Sequence, residues 1–229
     1  RSNGLGGKDI FYFEIPEEAK PDKIILAKGQ AETDNPEMLK TTKLTIRNSD
    51  GKKEEQEINI DQEGEFIAVV NIENIKGDAL IEIQSEDGAY ESLLLTEEDQ
   101  SKTVIKDKEI EVNAIEEGKT YTINDILYES NSSKLLSSSK IVLDGFSDWL
   151  VLNHELNIEI QGHTDNVGSE DANMVLSMDR AFSVMEYLIS RGVDKERLRF
   201  KGYGETEPKV SNEFPEGRLK NRRTDFLIY

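Results

Sequence analysis

Polar and apolar residues alternate through Lys43-Leu44-Thr45-Ile46-Arg47, Glu57-Ile58-Asn59-Ile60 and Leu80-Ile81-Glu82-Ile83. That is the two-residue period of a strand with one buried face. Phe66-Ile67-Ala68-Val69-Val70 and Tyr90-Glu91-Ser92-Leu93-Leu94-Leu95 add further apolar stretches. Between them, Ser49-Asp50-Gly51, Asp61-Gln62-Glu63-Gly64 and Glu86-Asp87-Gly88 supply turn chemistry. Short strands at this spacing predict an all-β sandwich of about seven strands over residues 22–102. Residues 1–21 differ in texture: Gly4-Leu5-Gly6-Gly7, a strand-like Asp9 to Ile15, then Pro16 and Pro21. A lone strand followed by prolines reads either as the end of an upstream unit or as a disordered terminus.

From Thr103 onward the period changes to alternating strands and helices. Ile123 to Tyr128 reads as a strand, and Ser130-Asn131-Ser132-Ser133 offers caps for a helix over 133–152. Leu156 to Gln161 alternates as a second strand. A second helix is predicted from Asn173 to Arg191, ending at Gly192, with Val175, Met178, Phe182, Met185 and Ile189 as its core stripe. Leu198 to Gly202 and Thr224 to Tyr229 close the pattern as strands. The order βαβαβ predicts an α/β domain over 103–229, a mixed sheet with helices on one face.

Composition removes several classes of function. A net charge of -19 argues against nucleic acid, whose phosphates require clustered Lys and Arg. There is no cysteine and there are two histidines, His154 and His163, so thiol chemistry and a multi-histidine metal site are disfavoured. No apolar run approaches the roughly 20 residues of a spanning helix. Residues 1–20 lack a basic start and apolar stretch, and Arg1 in place of Met reads as an internal cut, which leaves targeting illegible.

The chemistry-bearing segment is Gly162-His163-Thr164-Asp165-Asn166-Val167-Gly168, followed by Asn173, Leu176-Ser177 and Arg180-Ala181. Gly202-Tyr203-Gly204-Glu205, Pro208, Glu216-Gly217-Arg218 and Asn221-Arg222-Arg223 come after it in order. At these residues the chain resembles the OmpA-like peptidoglycan-binding domain. The resemblance implies a non-catalytic binder of peptidoglycan in a Gram-negative envelope, located in the periplasm in association with the outer membrane. It implies the diaminopimelate of the stem peptide as ligand, held by Asp165 and Arg180, with Asn173, Ser130, Asn131 and Val167 as further contacts and no cofactor. The first-strand loop reads Tyr128-Glu129-Ser130-Asn131-Ser132 where that family carries Phe-Asp-x-Asn/Asp-Ser, which weakens the contacts expected there.

The residues carry a physical argument of their own. Diaminopimelate presents an ammonium and a carboxylate on one carbon, so a binder needs an acceptor and a donor fork held apart. Asp165 follows a predicted strand, and a guanidinium on the next helix can grip a carboxylate through two hydrogen bonds. Asn173 and Arg180 are seven residues apart, within ~20° on one helical stripe, and the predicted apolar stripe centres ~160° away. Other readings stand beside this one. An Asp–Arg pair is often a structural salt bridge, and His163 reads as a hydrogen-bonded structural residue. Asp165, Glu170 and Asp171 lack the spacing of a calcium loop. Asn221-Arg222-Arg223 reads as pinning the last strand. A wall hydrolase would need an activated nucleophile or cleft carboxylates; Glu205 and Glu207 are close but fall in a predicted loop.

Upstream, the Gly29 strand start, the Leu44-Thr45-Ile46 and Asp50-Gly51 hairpin and the Glu63-Gly64-Glu65-Phe66 step resemble the carboxypeptidase regulatory-like β-sandwich. Gly6-Gly7-Lys8-Asp9-Ile10-Phe11 resembles the closing strand of a β-propeller repeat. That order is similar to multidomain outer-membrane lipoproteins, including the wall-anchoring subunit of type IX secretion machinery. It implies other envelope or secretion-system proteins as partners of the sandwich.

Overall fold

In a computed structural model, the structure describes residues 24–48, 53–56, 59–61, 64–71, 75, 77–85, 87–99 and 104–229. The strand expected over Asp9–Ile15, with its propeller resemblance, and the turn at Ser49-Asp50-Gly51 lie outside these residues.

Two four-stranded sheets come first. One has the order β4 (Asn59–Ile60), β5 (Glu65–Asn71), β1 (Ile24–Glu32), β8 (Val104–Glu111). The other has the order β3 (Lys53–Gln56), β2 (Lys43–Asn48), β6 (Ala79–Gln84), β7 (Glu91–Leu95) and is antiparallel throughout. Side chains from both, among them Ile25, Ala27, Leu44, Ile46, Phe66, Ile81, Ile83, Leu95 and Ile110, form one apolar cluster. The strand that completes the first sheet, β8, pairs in parallel with β1 and runs to Glu111. Pairing of this upstream sheet therefore extends past residue 102, where the change in sequence texture had placed the boundary.

The third sheet has the order β11 (Leu198–Gly204), β10 (Ile158–His163), β12 (Thr224–Ile228), β9 (Thr120–Ile123). It is mixed: β10 pairs in parallel with β11, and β12 runs antiparallel to both β10 and β9. Helices α2 (Ser137–Leu152), α3 (Glu170–Ser190) and α4 (Pro215–Asn221) join its strands. A short helix, α1 (Pro36–Leu39), lies upstream with Asn35 capping it. The mixed α/β architecture expected of the C-terminal part is present.

Three expectations need correction. The strand placed at Ile123 to Tyr128 is β9, which ends at Ile123. Tyr128 instead forms an isolated bridge with Leu135, closing a loop that residues 129–134 span. Because that loop takes up the Ser130–Ser133 stretch, α2 starts at Ser137 behind Leu136, with no side-chain cap.

The third correction concerns the buried face of α3. Val175 is 53% and Met178 44% exposed, and Phe182 is exposed as well; of the expected stripe Met185 is buried and Ile189 lies at the core's margin. The inward face is Asn173, Ser177, Ala181, Val184, Met185 and Leu188. The reason is closeness of approach. A Cβ on Gly162 of β10 would sit 2.1 Å from the Ser177 carbonyl oxygen, and one on Gly202 of β11 would sit 2.5 Å from the Met178 nitrogen. A helix resting on two glycines needs small side chains beneath it, so shape overrides hydrophobicity in choosing the face. Ser169 caps the helix, accepting from Ala172 N, and Gly192 (φ +99°) follows its end.

The second upstream sheet also packs on the C-terminal part. Leu80, Ala89, Tyr90 and Leu94 join Val142, Phe146, Trp149, Leu150 and Phe226 in a single core. A Cβ on Gly145 of α2 would meet Tyr90 Oη at 2.6 Å and Glu82 Oε1 at 2.7 Å, so the helix sits directly on β6. Arg47 Nε donates to Glu82 Oε1 and Nη2 to Asp148 Oδ2, both at 2.6 Å, tying β2 and β6 to α2.

Candidate ligand-binding site

The site lies where β10 ends. His163 N donates to the Arg223 carbonyl (3.1 Å) and Thr164 N to the Gly204 carbonyl (2.9 Å), which carries the pairing just past the strand. Asp165 follows at once. Its Oδ1 accepts from Val167 N at 3.0 Å, an Asx-type turn, and its Oδ2 accepts from Arg222 Nη1 at 2.5 Å. The Asp165 side chain is 10% exposed and that of Arg222 is 42% exposed, so the pair closes the carboxylate from one side while its guanidinium faces water. Val167 is exposed.

Asn173 points inward. Its Nδ2 donates to the Asp165 carbonyl oxygen (3.2 Å) and to Glu205 Oε2 (2.6 Å), bracing the turn from beneath. It shares α3 with Arg180, as the spacing predicts, but it sits on the helix's inner face, away from the flank expected for it.

Arg180 is half-buried at the loop after β9. Its Nε donates to the Ser132 carbonyl (3.1 Å), and its guanidinium carbon lies 4.7 Å from the centre of the Tyr128 ring. Burial lowers its pKa, opposed by Tyr128 and Asp165 and reinforced by Arg222, so Asp165 and Arg222 lie within electrostatic reach of it. Ser130 and Asn131 are exposed on the same loop, and Asn131 (φ +51°) takes the left-handed conformation that reverses the chain there. The three groups of the site are thus Asp165, Arg180 and Arg222.

Beneath them, His163 is buried and stacked on Tyr203 (5.1 Å between centroids, 7° between planes). Asp225 Oδ2 lies 3.4 Å from its Nε2, yet neither ring nitrogen makes a hydrogen bond. Burial, reinforced by Arg223 against the opposing Asp225, pushes its pKa down to about 4, so it is neutral at pH 7. The hydrogen-bonded role expected of it is replaced by ring stacking. Among the described residues no group of three His, Asp or Glu side chains could hold a metal ion, and no helix is long and apolar enough to cross a membrane.

Two site residues escaped the sequence reading. Arg222, read as a strand pin, is the direct partner of Asp165, and Glu205, read as a solvated loop carboxylate, receives Asn173. Arg222 lies two residues before the start of β12, so the strand pairing that sets Thr224 against Gly162 also brings its side chain to Asp165. Nothing in linear spacing shows a cross-sheet pairing of this kind.

Residues 127–222 match the OmpA family. The chain is 36% identical over 103 residues to peptidoglycan-binding protein ArfA of Mycobacterium tuberculosis, covering 45% of this chain and 32% of that protein. It is 37% identical over 139 residues to motility protein B of Bacillus subtilis, covering 56% and 53%. The peptidoglycan-associated lipoprotein of Burkholderia pseudomallei aligns with it at 23% identity and a TM-score of 0.42, over 48% of this chain and 89% of that one. The chain thus spans from about a third to about half the length of these curated relatives. Asp165, Arg180, Arg222 and the loop from Tyr128 all fall inside residues 127–222, the segment of this chain that matches the OmpA family.

Proposed function

We propose that this domain binds peptidoglycan through the diaminopimelate of the stem peptide and so anchors an outer-membrane-associated protein to the wall, without catalysis. Asp165 accepts from the ligand's ammonium, and Arg180 grips the carboxylate on the same carbon. Ser130, Asn131 and the Val167 backbone line the approach, and Asn173 holds the turn. The upstream sheets, in their resemblance to a carboxypeptidase regulatory-like sandwich, present a surface for other envelope or secretion-system proteins.

The observation that carries the reading is the state of Arg180. Of the three guanidinium nitrogens of Arg180, only Nε makes a hydrogen bond among the described residues, to the Ser132 carbonyl. The two terminal nitrogens are left as a fork within electrostatic reach of the Asp165 carboxylate, the pairing of charges that an amino-acid zwitterion requires. The ArfA relative is named for peptidoglycan binding, which agrees with this choice of ligand.

Co-sedimentation with purified peptidoglycan tests it. The parent chain pellets with the wall and is released as salt rises, because the contacts are ionic. Asp165→Ala and Arg180→Ala each abolish most of the pelleting; equal pelleting by both variants removes the assigned site. Calorimetry against a diaminopimelate stem peptide and its lysine counterpart tests the ligand's identity, and release of soluble muropeptides would contradict the absence of catalysis.

A further inference from the structure

We propose that Tyr128 is the positioning residue for Arg180, and that its hydroxyl bond to Thr224 fixes the separation between the guanidinium and Asp165. The inference rests on the binding reading above and adds to it the device that presets the site before ligand arrives.

Tyr128 lies under the Arg180 guanidinium at 4.7 Å, while the Ser132 carbonyl, four residues along the same loop, takes Nε. One contact fixes the plane of the guanidinium and the other its rotation, so the remaining two nitrogens point in a set direction. The ring is itself held. Tyr128 Oη and Thr224 Oγ1 are 3.0 Å apart, Thr224 is buried, and the Tyr128–Leu135 bridge closes the loop around them. Burial, partly offset by Thr224 and Arg180, pushes the phenol up to about 12, so it stays a neutral donor or acceptor.

Thr224 is what connects the two halves of the site. It pairs with Gly162 across β10 and β12, three residues before Asp165, and Arg222, two residues before it, grips Asp165 Oδ2. The start of β12 therefore sets the acceptor through Arg222 and the donor fork through Tyr128. A phenylalanine at position 128 could stack beneath Arg180 but could not be tied to β12. The tyrosine that departs from the family's loop pattern supplies a tether.

The test uses the full chain and the stem tripeptide L-Ala-γ-D-Glu-meso-diaminopimelate as probe. In the free protein, the Arg180 Nε–H proton resonates upfield through the Tyr128 ring current and exchanges slowly with water. Tyr128→Leu abolishes the shift, speeds the exchange and weakens tripeptide binding by about fivefold or more, the loss of ~1 kcal/mol of cation–π contact. Tyr128→Phe restores the shift and most of the affinity. Tyr128→Phe and Thr224→Val each cost about twofold, and the double variant costs no more than either, as for one shared bond. Should Tyr128→Leu fold poorly, the resonance of the parent and the Tyr128→Phe/Thr224→Val cycle decide the matter. Unchanged affinity in Tyr128→Leu beside a collapse in Arg180→Ala overturns the positioning role and leaves the binding reading standing. Unchanged affinity in Arg180→Ala overturns both.

Discussion

Arg47 and Arg222 each close a carboxylate, one at each of two ends of the chain's element order, and the two clusters differ in what surrounds them. Arg47 is sealed between β2, β6 and α2, with Glu82 as buried as itself and only Asp148 reaching water. Arg222, half-exposed, holds the nearly buried Asp165, with a second guanidinium, Arg180, within electrostatic reach and two of that group's nitrogens without a hydrogen bond among the described residues. One cluster bonds its guanidinium to two carboxylates inside the fold and fastens two layers together. The other is left open toward solvent, with donors to spare. Identical functional groups fasten layers together in one place and keep guanidinium nitrogens unbonded in the other, according to what the fold packs around them.

The sharpest way to break the comparison is to remove one guanidinium from each end. Arg47→Ala removes the guanidinium that bonds the buried Glu82 and ties it to Asp148, and the structure loses about 3–5 kcal/mol of stability in chemical denaturation. Tripeptide affinity of the protein that remains folded is unchanged. Arg180→Ala reverses the pattern: binding falls by at least about tenfold, and stability shifts by less than about 1 kcal/mol. A variant that moved both readouts equally would show that the two ends are not separate in role.

Acidity sharpens the comparison in a second way, because Glu91 at one end and His163 at the other have pKa values shifted in opposite directions. Glu91, on β7, accepts from Asn124 across the joint between the layers, and burial pushes its pKa up to about 8. Between about 4.5 and 8 the folded state then binds more protons than the unfolded one, so this end loses stability as pH rises through that window. His163, under the site, is pushed down to about 4 from 6.5. Between these values the unfolded state binds more protons, so this end loses stability as pH falls. Denaturation from pH 4 to 8 should therefore show Glu91→Gln flattening the decline toward pH 8 and His163→Gln flattening the decline toward pH 4.

The smallest expected effect lies on α3. Val175→Ser and Met178→Gln, on its exposed stripe, change stability by no more than about 0.5 kcal/mol, whereas Val184→Ala on its inward face costs roughly 1–3 kcal/mol. Urea midpoints measure the difference. Equal costs would restore the hydrophobic stripe as the core face.

That stripe also shows where sequence reading stops. Period and turn chemistry place most strands to within a residue or two, because the buried side of a strand has no competitor for its alternate positions. The glycines at 162 and 202 were legible as motif letters, but their effect on α3 was not, since it arises only when strand and helix meet. Asp165 and Arg180 could be singled out because a resemblance carried them. Arg222 could not be weighed properly because its partner is 57 residues away and is reached through the pairing of β12 with β10. The helix start at Ser137 was not legible for a related reason: Ser130 to Ser133 have the chemistry of caps, and the Tyr128–Leu135 bridge commits them to a loop instead.

The connection between β8 and β9 has a mechanical meaning. Val112 N bonds to Glu32 O, the Asn113 carbonyl accepts from Ala89 N, Ile115 N bonds to Asp87 O and Gly118 N to Ile228 O, all within 2.9 Å. A free segment of this length would behave as a slack spring, stretching by several ångströms before it transmitted tension. Here every few residues are riveted to one layer or the other, and the helix between the layers is clamped by a glycine contact. Tension applied to the C-terminal layer would reach the upstream strands almost without stretch, and the molecule would behave under load as a stiff tie-rod.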